Sequence, residues 1–216
     1  MKKIIFILSA LCVCISISAQ TNEAKAKDIL DKSSAMLSSA NGITAGFVFN
    51  LKDKSLKHTE SFEGKISIKS DKFFIETPDR DFYFNGKTQW VHDKAVAEVS
   101  ILEPKPEEIQ ALNPLLLFSS YKTGWTYAFL GDKTDVKSRK VKEISLVPKS
   151  SKADIKKILM QVSATDFMPL FFHIYYANGA ENLIYVGKYD AKTALSDAVF
   201  QFDAKKFPGV EVVDLR

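Results

Sequence analysis

From Ile43 onward the chain alternates apolar and polar residues, the period-two signature of strands with one buried face. The clearest run is Phe62 to Asp93, FEGKISIKSDKFFIETPDRDFYFNGKTQWVHD. It pauses at Ser70-Asp71-Lys72, breaks at Pro78-Asp79 and folds back at Asn85-Gly86 towards Trp90. Asn-Gly between alternating runs predicts a type I′ hairpin, whose two central residues need positive φ. The run therefore reads as an antiparallel meander with one aromatic-rich face. Two strands precede it. Ile43–Lys52 puts Ile43, Ala45, Phe47, Phe49 and Leu51 on one face, and Lys57–Lys69 does the same with Phe62, Gly64, Ile66 and Ile68. Further strands are predicted at Ala95–Ile101, Trp125–Leu130, Val141–Val147, Lys157–Ser163, Pro169–Ala177 and Asn182–Asp190, with a second Asn-Gly turn at Asn178-Gly179. A short segment, Val199–Phe202, and a last strand, Val210–Leu215, close the chain.

Two stretches change period. Over Thr21–Ala40 the residues Ala26, Ile29, Leu30, Ser33, Met36 and Leu37 fall on one helical stripe. Thr21 or Asn22 can cap its start and Asn41-Gly42 ends it. Glu103-Pro104-Lys105-Pro106 excludes an interior strand, because proline donates no ladder hydrogen bond. After it, Asn113-Pro114-Leu115-Leu116-Leu117-Phe118 predicts a short capped helix that is apolar most of the way round, so it must be buried or sit over an apolar surface. A sheet this large with one apolar face must curl on itself or meet a second sheet. A packed sandwich and a half-open barrel with an apolar cavity under a helical lid both satisfy the pattern. About eleven strands, once curled, enclose more room than their side chains readily fill. The chain has sixteen phenylalanines, and those beyond Phe6 would give that space an aromatic lining.

The first nineteen residues stand apart. Lys2 and Lys3 precede an apolar run from Ile4 to Ile17, and Ser18-Ala19 supplies a small-residue exit. This predicts a secretory signal peptide at 1–19, too short and wrongly flanked for a membrane span, followed by one domain at 20–216. Both cysteines, Cys12 and Cys14, lie inside that segment, and Leu11 and Val13 are the wrong predecessors for lipid attachment. A cysteine-free mature chain has neither disulfides nor thiolate chemistry. Loss of Lys2 and Lys3 lowers the formal charge from +4 to +2, which is no footprint for nucleic acid. The expected compartment is the periplasm, and the expected state is a soluble monomer.

No catalytic constellation emerges. His58, His92 and His173 lack metal-ligand spacing, and there is no Gly-x-Ser-x-Gly elbow. Gly86-Lys87-Thr88 mimics the end of a phosphate-binding loop, but position 81 is Asp and a hairpin follows. The expectation is a non-enzyme with no cofactor and no metal.

The order of segments carries a family likeness. An amphipathic helix is followed by AGFVFN, FEGKISIKSDKFFIET, FNGKTQWVHD, the Pro-Leu-rich NPLLLF, ISLVPKS and FDAKKFPGVEVVDLR. This resembles the periplasmic outer-membrane lipoprotein carrier family (LolA-like proteins) over nearly all of the mature chain, most closely at Gly86–Trp90. The resemblance implies a mainly β fold, a half-open antiparallel barrel of about eleven strands closed by short helices. It also implies a carrier that takes acylated lipoproteins from an inner-membrane ABC transporter and passes them to an outer-membrane acceptor. A lipid-sensing or regulatory binding domain on the same fold, without transporter handover, stays open as an alternative. The strand faces then nominate Phe47, Phe49, Phe62, Ile66, Ile68, Phe73, Ile75 and Trp90 for an acyl-chain cavity, and Leu115, Leu116 and Phe118 for its lid. Of these, Phe73 matches a family cavity position best. The family commonly carries Arg-Pro and an aromatic residue in the stretch matching Lys69–Phe73, and that arginine is implied to latch the lid. Here Lys69 or Ser70 holds its place, with Ser70 expected to face inward by alternation, and neither offers a guanidinium fork.

Overall fold

The computed structural model describes residues 2–53, 58–105, 108–109, 115 and 117–216, with side chains from Thr21 onward except those of His58 and Ser119. Twelve strands form one sheet: β1 (Ile43–Asp53), β2 (His58–Lys69), β3 (Lys72–Glu76), β4 (Arg80–Phe84), β5 (Gln89–Asp93), β6 (Glu98–Leu102), β7 (Trp125–Thr134), β8 (Lys140–Pro148), β9 (Ile155–Ser163), β10 (Pro169–Tyr176), β11 (Glu181–Asp190) and β12 (Glu211–Asp214). Their order across the sheet is β12-β6-β5-β4-β3-β2-β1-β11-β10-β9-β8-β7. Neighbours are antiparallel throughout, except that β12 runs parallel to β6. The sheet ends in two edges, β7 and β12, and is not closed into a barrel.

Helix α1 (Lys2–Ser39) lies against β7, and helix α2 (Leu117–Gly124) packs on both. Thr21 and Asn22 do not cap α1, which runs through them unbroken because neither glycine nor proline stands between Lys2 and Asn41. It stops at Gly42, whose φ of +119° is the left-handed region that favours glycine. The predicted stripe is buried at Ala26, Ile29, Leu30 and Ser33, while Met36 at its end is exposed. Helix α2 runs on to Gly124, beyond the expected stop at Phe118. Asn113 and Pro114, its expected cap and first residue, lie outside the described residues.

The main core lies between the inner face of the sheet and the helices. It runs from Phe73 and Phe84 through Ala45 and Val186 to Ile144 and Met160, and takes in Leu30, Leu117, Phe118 and Tyr121. The outer face of β3–β5 carries a smaller cluster. Tyr83 and His92 pack on Phe202, and His92 also on Phe207, from the chain after β11. That segment begins with a 3-10 helix, Asp197–Phe200, which takes in the first half of the short segment Val199–Phe202. Ser196 caps it by accepting from the Ala198 amide, and Phe200 is fully buried. The two Asn-Gly turns also differ from type I′. Gly86 and Gly179 have positive φ, but Asn85 and Asn178 do not. Their carboxamides instead accept backbone N–H groups two or three residues on, from Lys87 and Thr88 in one turn and Ala180 in the other.

Candidate functional site: an apolar cavity at the hairpin end of the sheet

The inner face does not fill its space. A cavity of about 290 Å³ opens among Phe47, Phe49, Phe62, Ile66, Ile75, Thr77, Phe82, Leu115, Phe172, Ile174, Asn182, Ile184 and Val186. Strand register places it. Phe49 pairs with Phe62 on one side and Ile184 on the other, Ile184 pairs with Phe172, and Ile66 pairs with Ile75, which pairs with Phe82. All lie towards the end of the sheet that carries the β3–β4 and β10–β11 turns. Phe49 stacks on Phe62 at 4.9 Å, and Phe47 meets Phe62 edge-on at 6.3 Å. Phe47 itself lies across Gly64, where a Cβ would stand 2.3 Å from its ring. The glycine is what lets an aromatic ring lie flat on this wall.

Of the eight residues nominated from the sequence, Phe47, Phe49, Phe62, Ile66 and Ile75 line the cavity. Ile68 and Phe73 share their face but sit one pair further along the strands, in the filled core, with Phe73 fully buried. Trp90 is on the other face. It pairs with Tyr83, which pairs with Phe74, and both alternate with the inward Phe82, Phe84 and Phe73. The strand-face expectation for Trp90 is not met, because Phe84 pairs with Gln89 across a loop of even length, so Gln89 faces in and Trp90 out. Leu115 reaches the cavity wall, Phe118 is buried in the core, and Leu116 lies outside the described residues. The sequence reading missed Phe82, Thr77 and the β10–β11 wall. Phe172 and Ile174 alternate as clearly as Phe47 and Phe49 do, but which distant strand faces the meander is decided by topology. Among the described residues no group of three histidine, cysteine or acidic side chains could hold a metal ion.

Over residues 15–174 the chain matches the family of the outer membrane lipoprotein carrier protein LolA. It belongs to that family. No curated protein matches the chain. Among solved structures it is similar to an uncharacterized conserved protein from Thermus thermophilus, at 13% identity and a TM-score of 0.58, over 87% of this chain and 98% of that one. It is also similar to a putative outer membrane lipoprotein-sorting protein domain from Vibrio parahaemolyticus, at 11% identity and TM-score 0.47, over 83% and 97% of the two chains. A LolA superfamily protein from Nitrosomonas europaea aligns at 11% identity and TM-score 0.44, over 82% and 98%. At 13% identity the likeness to the Thermus thermophilus protein is one of fold.

Within this LolA-family fold the helices are tied to each other. The Asp31 carboxylate of α1 accepts from the Tyr121 hydroxyl of α2 and pairs with Lys122 at 3.3 Å and with Lys27 at 2.6 Å. Ser34 Oγ adds a bond to the Phe118 carbonyl at 3.3 Å. Hydrogen bonds from Lys27 first, then Tyr121, hold the Asp31 carboxyl down at about 2. Burial, then the bond to Asp31, pushes the Tyr121 hydroxyl well above the usual phenol range. Lys69, one of the two residues expected at the family's arginine position, serves another element together with Lys72. Lys69 Nζ donates to the Leu195 carbonyl at 2.9 Å and to Asp197 at 3.0 Å, and Lys72 donates to Asp197 at 2.7 Å. Ser70 does not face inward. With φ at +56° it sits exposed in the tight β2–β3 turn, outside the strand alternation.

Proposed function

We propose that this protein is a periplasmic, non-enzymatic lipoprotein carrier. It is exported by cleavage after Ala19 and works as a monomer without a cofactor. It receives acylated lipoproteins from an inner-membrane lipoprotein-releasing ABC transporter and delivers them to an outer-membrane acceptor. The observation that carries the reading is the 290 Å³ cavity, whose wall is aliphatic and aromatic apart from Thr77 and Asn182, in a LolA-family chain. Each acyl CH₂ withdrawn from water gains about 0.8 kcal/mol, so an acylated polypeptide needs shielding worth tens of kcal/mol to cross an aqueous compartment. A carrier must also let go. Dispersion and burial hold a chain in such a wall, which has no charged side chain among the described residues, and collapse of the emptied cavity opposes retention.

The test mixes the purified protein with an acylated lipoprotein and with its non-acylated form. A soluble complex with the acylated form alone is the expected result, and equal behaviour of the two refutes the carrier reading. Capture of the inner-membrane transporter by the same protein is expected as well. Acyl binding without that capture replaces the carrier with a lipid-binding regulatory domain.

A further inference from the structure

At the hairpin end of the sheet the apolar cavity adjoins a second space. Phe62, Thr77 and Phe82 also wall this space of about 460 Å³, whose remaining lining is Glu60, Pro78, Asp79, Arg80, Asp93 and Ala95. These three shared residues are the neck at which the apolar chamber adjoins a polar vestibule. The vestibule is built and held. Thr77 Oγ1 donates to the Arg80 carbonyl at 2.7 Å, and Lys94 ties the β3–β4 turn twice, by its ammonium to the Thr77 carbonyl at 2.6 Å and by its amide to the Asp79 carbonyl at 3.0 Å. Arg80 Nε donates to Asp93 across the β4–β5 pair at 3.0 Å. Donors and acceptors therefore stand just outside the neck, while aliphatic and aromatic groups stand just inside it. Leu115 also lines the cavity, and α1 and α2 are joined to each other through Asp31, Tyr121 and Lys122.

A polarity step across one neck orients an amphiphile, because the tail gains by burial while the head loses hydrogen bonds if it follows. We propose that the acyl chain inserts tail-first through the Phe62–Thr77–Phe82 neck and that its amide- or ester-bearing head stays in the vestibule. The polypeptide of a carried lipoprotein then leaves the carrier beside Pro78–Arg80, on the hairpin end, and not between the helices. This inference rests on the acyl-carrier reading above and adds the direction of the cargo.

The experiment uses a palmitoyl chain whose polar end carries a maleimide, offered to the full chain with Cys12 and Cys14 replaced by serine. One variant adds Asp79→Cys at the vestibule, and the other adds Thr123→Cys on α2. Both sites are exposed, and circular dichroism checks that each variant folds. A fluorescent palmitoyl probe measures uptake independently. A head held beside residue 79 raises its local concentration to the millimolar range, so Asp79→Cys should react roughly a hundredfold faster than Thr123→Cys at micromolar probe. Faster reaction at Thr123→Cys, or equal rates at both sites with normal uptake, overturns the vestibule assignment and leaves the carrier reading intact. Absence of uptake by every variant and by the unsubstituted chain removes the carrier reading and this inference with it.

Discussion

At the scale of single residues, Gly64 and Asp31 are the positions with the most to say. Gly64 is flat against the Phe47 ring and 2.7 Å, at its would-be Cβ, from the Glu76 carbonyl. Gly64→Ala should therefore cost about 1–3 kcal/mol, the usual range for overpacking, read as a lower urea midpoint at unchanged slope. Phe47→Ala should cost less in the Gly64→Ala background than in the original chain, though not by the whole overpacking penalty, since the Glu76 carbonyl remains. Full additivity of the two substitutions would show that the ring is not the clash. Asp31 makes the opposite kind of prediction. Its carboxyl is lowered from 3.8 to about 2, so its contribution is fully present above 3.8 and is lost as pH falls through 2. Amide exchange in α2 should speed up, beyond its intrinsic pH dependence, over that window. Asp31→Asn should show the faster exchange already at neutral pH, by at most about fivefold, because a half-exposed ion pair is worth about 0.2–1 kcal/mol. The apolar nature of Phe47, Phe49 and Phe62 is legible in the sequence. The Asp31–Tyr121 tie is not, because it joins residues ninety positions apart on separate helices.

At the scale of elements, the segment after β11 behaves as a strap over the outer face of the meander. Two kinds of contact fasten it, and their magnitudes differ. Lys69 and Lys72 share Asp197, which is 55% exposed, so each pair is worth about 0.2–1 kcal/mol. Phe200 is fully buried, and its removal should cost about 3–5 kcal/mol. Asp197→Ala is thus expected to lower stability by no more than about 2 kcal/mol, and Phe200→Ala by more. The reverse order in urea titrations would mean that the ion pairs hold the strap. The strand pattern up to β11 is readable from alternation alone. The strap is not, because four residues at Val199–Phe202 carry no period that marks the 3-10 helix Asp197–Phe200 or the buried site that Phe200 finds. The parallel pairing of β12 with β6 is equally invisible, since a four-residue strand carries no record of its partner.

For the whole molecule, the unfilled cavity couples ligand binding to stability. A ligand that binds only the folded state stabilises it by about 2.7 kcal/mol at a hundred times its Kd, which for a domain of this size raises Tm by about 5–10 °C. A palmitoyl amphiphile should produce that shift in calorimetry, and Ile174→Trp, which fills the chamber, should abolish it while keeping the fold. An unchanged Tm in the original chain at saturating amphiphile would remove the cavity from any account of binding. The alternation of Phe62–Asp93 already determines a meander with an aromatic face, because side-chain direction in a strand is a local, period-two property. It settles that Ile68 and Phe73 are inner, whereas the face of Trp90 is fixed only by the β4–β5 register, which pairs it with the outward Tyr83. What no local pattern can state is how far the core fills the inner face before space is left over. That depends on where α1 and α2 dock and on β11 and β10 following β1 across the sheet, contacts made between segments far apart in the chain. The tertiary structure therefore decides that the wall is cavity at Phe62 and Ile75 but solid core at Ile68 and Phe73, and that its polar mouth lies at Thr77–Arg80.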